Sequence, residues 1–178
     1  MSIALWTFVS VLLAAPAQGP APRDAAAMKA ELMRVDEEFS AAAQKLGVGE
    51  AFLRYASADA VMLPENQNVV KGLDGIRQQF AGFPAGATLE WKPFYADVAA
   101  SGDLGYTLGT FELRGAPAAD PATEGKPSAV GNAVRRTAVT ADGQHSVRYG
   151  KYCSVWKRQA DGSWKWVVDV GTPSPAPQ

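Results

Sequence analysis

Two carboxylates in this chain have neighbours that could set them to acid–base work, Glu65 and Asp169. Glu65 follows Pro64 at the head of a polar loop, and in partly apolar surroundings its carboxyl would rise toward the range useful to a general base. A solvated loop glutamate is the plainer reading of the same residue. Asp169 stands within Trp166-Val167-Val168-Asp169-Val170, where a charge among apolar neighbours needs a partner or an exposed strand end. An ion pair with a Lys or Arg of the adjacent strand is the structural expectation, and a ligand-orienting carboxylate is the functional one. Other reactive groups are few. His145 is the single histidine and sits beside the Asp142-Gly143 turn; Cys153 is the single cysteine and reads as a small buried filler. One His and one Cys make no ligand cluster with metal-binding spacing, so neither a metal nor another cofactor is expected.

Aromatic side chains are the other candidates. Tyr55, Trp91, Tyr95, Tyr106, Tyr152 and Trp156 each join a large apolar body to one polar handle, which suits a site for a flat or greasy ligand. They suit an ordinary core equally well. Strict alternation puts Trp164, Trp166 and Val168 on one strand face with Val167 on the other, and sets Cys153 opposite Tyr152 and Trp156. Both faces of a sheet would then carry apolar side chains. Helices can cover only one of them, so a homodimer is expected to cover the second.

The elements that must hold these residues follow from periodicity and punctuation. Asp24 can cap a helix in which Met28, Leu32, Val35, Phe39, Ala42 and Leu46 recur in steps of four and three, and Gly47 can end it. A second short helix is expected over Glu50–Ala58, a strand over Ala60–Leu63 and a third helix over Leu73–Phe80. Everything beyond Ala87 reads as strands: Thr88–Val98, Leu104–Leu113, Ala133–Ala141, Ser146–Arg158 and Ser163–Val170, with turns at Ser101-Gly102-Asp103, Asp142-Gly143 and Asp161-Gly162. Residues 114–132, rich in Pro, Ala and Gly, read as a loop insertion, and the Pro-rich tail from Thr172 as disordered. Helices first and an antiparallel sheet afterwards make an α+β fold. Three N-terminal helices would pack on a strongly bent, mostly antiparallel sheet, with Gly105, Gly109 and Gly150 permitting the bend.

The ends and the overall composition bound the class. Met1–Ala17 is an apolar run closing on Ala15-Pro16-Ala17, the form of a signal peptide with its cleavage site, so a periplasmic or secreted location is expected. The run is too short for a lasting anchor, and no membrane association is expected after cleavage. Residues 18–23 read as a linker and 24–171 as one domain; cleavage leaves about 160 residues, close to the commonest domain size. Lys and Arg number 17 against 18 Asp and Glu, with no block of like charge, so the basic footprint of a nucleic-acid-binding protein is missing.

Several stretches resemble the nuclear-transport-factor-two-like superfamily, which includes ketosteroid isomerase and SnoaL-type polyketide cyclases. They are Ala51-Phe52-Leu53-Arg54-Tyr55-Ala56-Ser57-Ala58-Asp59-Ala60-Val61-Met62-Leu63-Pro64 and Lys71-Gly72-Leu73-Asp74-Gly75-Ile76-Arg77. Further along, Gly102-Asp103-Leu104-Gly105-Tyr106-Thr107-Leu108-Gly109, Gly150-Lys151-Tyr152-Cys153-Ser154-Val155-Trp156-Lys157 and Asp161-Gly162-Ser163-Trp164-Lys165 resemble its exported branch called domain of unknown function family 4440. The resemblance implies a cone with a pocket, and places Glu65 near the cone's open end. It also implies that the isomerase base would stand at Leu63 and the isomerase tyrosine at Phe39. Leucine moves no proton and phenylalanine has no hydroxyl, which disfavours that particular reaction.

Three functions stay open on the sequence alone. The first is an exported domain binding a small apolar molecule, oriented by Glu65 or Asp169. The second is a lyase, isomerase or hydrolase working without metal or nucleotide through the same carboxylates. The third is a dimeric interaction domain whose pocket is filled. Carboxylates facing solvent far from any pocket would remove the enzyme, and a cone packed with large side chains would remove both small-molecule readings.

Overall fold

The structure, a computed structural model, describes residues 24–116, 138–139 and 146–177. Helix α1 spans Ala25–Leu46, α2 Val48–Tyr55 and α3 Gly72–Phe80. The strands are β1 Ala56–Met62, β2 Val70–Lys71, β3 Thr88–Val98, β4 Leu104–Ala116, β5 Ala138–Val139, β6 Ser146–Arg158 and β7 Trp164–Ser174. They form one sheet in the order β2-β1-β7-β6-β4-β3, with β5 pairing β6. Among the described residues only the β1–β7 pair is parallel. This is the expected α+β architecture, three helices on a mixed, curled sheet.

Asp24 caps α1 by accepting from the Ala26 amide at 2.9 Å, and Gly47 at φ 91° closes the helix. The buried stripe is Met28, Leu32, Asp36, Phe39, Ser40 and Ala43. It lies one position round from the stripe read off the apolar residues alone. Leu46 is exposed, and Val35 and Ala42 are half-buried. The helix thus turns two polar side chains, Asp36 and Ser40, into the core, each with a partner there.

Helix α2 is shorter than expected and β1 begins at Ala56, because the alternating stretch Ala56, Ala60 and Met62 is drawn into the sheet beside β7. At the other end β7 runs past Thr172 to Ser174 in register with β6. The expected disordered tail is therefore a strand as far as Ser174. Beyond Asp169 the strand has lost β1 as a neighbour, and such an edge tolerates Pro173. Strand β4 likewise extends to Ala116, into the segment read as an insertion. The expected export signal and linker and the rest of that insertion lie outside the described residues, as does His145.

The core sits between the helices and the inner sheet face, on a cluster of rings. Phe39 is its centre, with ring centroids 4.9 Å from Phe52, 4.5 Å from Trp91 and 6.1 Å from Trp156. Burial of such rings accounts for stabilisation of roughly 1.5–3 kcal/mol each. Arg158 fastens β6 to α1 with two bonds to Glu31, at 2.9 and 2.7 Å, while its guanidinium lies 4.4 Å over Trp164. No helix among the described residues is long and apolar enough to cross a membrane.

Candidate functional site

Alternation alone would place Asp169 on the face opposite Trp164 and Trp166. The structure places it on the same face, because the β6–β7 register slips between Val155 and Trp156. Trp156 pairs with Trp166, whereas Val155 pairs with Val168. The extra residue, Val167, is a bulge that reverses the parity of all that follows. Val168 turns to the outer face, contrary to the sequence expectation, and Asp169 turns inward opposite Ser154. Its partner is consequently not a Lys or Arg. Ser154 Oγ donates to Asp169 Oδ2 at 2.6 Å, and the expected ion pair does not form because the inner face of β6 offers Tyr152 and Ser154 at this level.

The inward-facing groups surround an open pocket of roughly 790 Å³, counting the space at its mouth. Its walls are mainly apolar, with Phe39, Phe52, Phe80, Trp91 and Phe111 supplying rings. Aliphatic lining comes from Met62, Leu63, Leu89 and Leu113. The polar lining is Glu65, Gln79, Tyr152, Ser154 and Asp169. Both candidate carboxylates thus face one cavity, and the cavity is not filled by large side chains. Leu63 and Phe39, the positions where the isomerase groups would stand, line it as well.

Beneath the pocket lies a polar group that sequence reasoning missed. Asp36 is fully buried and accepts from Trp91 Nε1 at 2.9 Å and from Tyr152 Oη at 2.8 Å. Ser40 Oγ, one turn on, accepts from the Trp91 amide at 3.0 Å. The signal was present in the sequence. Asp36 is four residues from Leu32 and three from Phe39, on the buried side of the helix.

Burial sets the electrostatics. Desolvation raises the Asp36 carboxyl, opposed by the hydrogen bonds from Tyr152 and Trp91. Desolvation and the neighbouring Asp36 raise the Tyr152 hydroxyl, so Tyr152 stays a donor. Asp169 is pushed up to about 7, chiefly by desolvation, with the Ser154 bond acting against the shift and the charge of Asp36 adding to it. A carboxyl in that range exchanges its proton near neutral pH. Glu65 Oε2 is buried and finds no hydrogen-bond partner among the described residues.

Of the six aromatic candidates, Trp91 and Tyr152 line the pocket. Tyr55 stacks on Phe39 at 4.9 Å from outside it. Trp156 is fully buried in the core, donating from Nε1 to Thr107 Oγ1 at 2.9 Å. Tyr95 and Tyr106 pair at 6.0 Å on the outer sheet face, since Tyr106 alternates with the inward Thr107 and a bulge at Phe94 turns Tyr95 outward. Phe111, which sequence reasoning passed over, enters the wall as the cross-strand partner of Trp91. Among the described residues, no group of His, Cys, Asp and Glu could hold a metal ion.

No protein-family model matches the chain, and no curated protein does. Solved structures do. An NTF2-like protein of unknown function from Pseudomonas putida KT2440 is 14% identical, with a TM-score of 0.56 over 83% of this chain and 87% of that one. A ketosteroid isomerase-like protein from Erwinia carotovora atroseptica is 13% identical, with a TM-score of 0.56 over 82% of this chain and 96% of that one. The association domain of C. elegans CaMKII is 14% identical, with a TM-score of 0.52 over 83% of this chain and 96% of that one. Identities this low speak for architecture alone, and the chain has the cone-shaped NTF2-like fold.

Proposed function

We propose that this protein binds a small, largely apolar molecule in the mouth of the cone. The observation that carries this reading is the composition of the pocket wall. Rings from α1, α2, α3, β3 and β4 face a short polar row, Tyr152, Ser154 and Asp169, on β6 and β7. An apolar cavity with a few convergent polar groups is the usual make-up of a small-molecule site. Gly171, also in the lining, offers the means to test it, because a Cβ there would sit 3.3 Å from the Phe111 ring and a longer side chain would occupy the cavity. Nile red, whose emission rises on leaving water, is expected to bind saturably at one site per chain, and Gly171→Leu is expected to abolish that binding. Emission that never saturates, or is unchanged in folded Gly171→Leu protein, would count against the pocket.

A second reading, acid–base catalysis without a metal, is favoured by the position of Asp169, whose carboxyl titrates near neutrality inside an apolar site. Its test is exchange of the α-protons of a cyclic ketone into deuterated water, followed by NMR. The reading expects exchange that rises through about pH 7 and is lost in Asp169→Asn; equal exchange in the variant would sink it.

We propose two further features on the same footing. The family motifs and the apolar run at Met1–Ala17 support an exported member of the family 4440 branch, periplasmic or secreted. The outer sheet face carries Tyr95, Leu104, Tyr106, Val155 and Val168, with Tyr95 and Leu104 well exposed, and supports a homodimer formed across that face.

A further inference from the structure

We infer that the pocket selects a cationic ligand, an apolar or aromatic molecule carrying a protonated amine, over its neutral and anionic counterparts. The inference rests on the binding reading above and gives that site a charge preference. Three observations on the site carry it. Two carboxylates, Glu65 and Asp169, line the cavity, and among the described lining residues there is no Lys, Arg or His. Glu65 Oε2 is buried without a hydrogen-bond partner among the described residues, a cost that a neutral hydrocarbon would leave standing and an ammonium donor would remove. The wall also carries six Phe, Trp and Tyr rings among its aliphatic side chains, and the negative faces of such rings attract a cation more strongly out of water.

The groups that act on Asp169 bring no positive charge to it: Ser154 favours its ionised form, and Asp36 disfavours it. From β6 come Ser154, which donates to it, and Tyr152, whose proton is committed to Asp36. From α1 comes Asp36 itself, a further negative or protonated carboxyl. From the loop after β1 comes Glu65, in the lining of the same cavity. Cys153, next in sequence to Ser154, faces away on the outer side of the sheet, and burial and Asp169 raise its thiol. Arg148, a buried cation on the inner face of β6, lies opposite Leu113 of the pocket wall but is not itself in the lining, and has an interaction of its own. It stands six residues from Ser154, about 20 Å along the strand. An incoming anion would therefore meet like charge at Asp169 and Glu65 with no cationic side chain among the described lining residues, and a cation would find two carboxylates.

Binding of a cation also has a proton balance. At pH 6 much of Asp169 is protonated, so an ammonium drawn to the ionised form expels that proton to solvent as it binds. At pH 8 the carboxylate is already free and no proton is released. Cation affinity should accordingly rise with pH through about 7.

The test is isothermal titration of the full chain at pH 8 with three probes of one shape: 2-naphthylmethylamine, 2-naphthylmethanol and 2-naphthoate. The amine is expected to bind about tenfold or more tightly than the alcohol, as one charge-assisted hydrogen bond would give, and the naphthoate more weakly than either. Asp169→Asn and Glu65→Gln should each shrink the amine's advantage over the alcohol. At pH 6 the unaltered protein should release protons on binding the amine, seen as a binding heat that follows the ionisation heat of the buffer. Alcohol binding as tight as the amine, or naphthoate binding tighter, overturns the charge preference and leaves the pocket reading intact. Nile red binding without any amine binding does the same. Failure of all four probes overturns the pocket reading, and the charge preference with it.

Discussion

Asp169 is the residue on which the chemistry of the site turns, and its behaviour with pH follows from its surroundings. An ordinary aspartate titrates near 3.9 in an unfolded chain, and here folding lifts the carboxyl to about 7. Between those values the folded protein holds a proton that the unfolded chain has lost. The stability tied to that proton is full below about pH 4 and is lost as pH rises through about 7. A rise of that size corresponds to about 4 kcal/mol; water reaching the open pocket reduces this to about 2 kcal/mol. Urea denaturation at pH 5 and pH 8, a window that holds about two-thirds of this span, should therefore show a difference that shrinks by about 1 kcal/mol in Asp169→Asn. An unchanged difference would mean that Asp169 titrates as a solvated carboxylate. The buried Asp36 has a different dependence, on its donors. Tyr152→Phe removes one of them and should cost about 2 kcal/mol by urea denaturation, while a loss below a few tenths would show that Asp36 is satisfied without it.

At the scale of elements, the site depends on two irregularities. The bulge at Val167 turns Asp169 toward the pocket, and one residue more or fewer would turn it away. Gly150 is the other. A Cβ on it would lie 2.0 Å from Cζ of Phe111, a ring of the pocket wall. Gly150→Ala should lower stability by about 2 kcal/mol through overpacking and weaken probe binding by driving Phe111 into the cavity. Thermal melting and the Nile red titration check the two effects, and an unperturbed melt would show that the ring yields freely. These irregularities also mark what could be read from the sequence. Most element limits were legible, because Asp24, Gly47 and the turns at Gly102 and Gly162 are local signals. Glu65 and Asp169 were legible as candidates, because a carboxyl beside Pro64 or among valines stands out in any context. Which way Asp169 points was not, since a bulge depends on the register between two strands, and alternation along one of them carries no trace of it. Asp36 was passed over because a search for apolar periodicity skips a charged residue even when it lies on the buried stripe.

The whole molecule places the helices on one sheet face and leaves the other lined with Tyr95, Tyr106, Val155 and Val168. A dimer across that face would need to bury on the order of 1,600 Å² in total. Sedimentation equilibrium should find two chains, and Val155→Glu should shift the species toward one. A monomer in both cases would leave the outer face to some other partner. The cone's open pocket is the feature on which the proposed function rests, and native mass spectrometry of the protein isolated from its own source probes it without a surrogate ligand. A mass excess of one small molecule per chain is expected, lost on denaturation and absent from Gly171→Leu. A folded wild-type protein that carries no excess and takes up no naphthyl probe, or an excess that Gly171→Leu retains in full, would refute binding in the pocket.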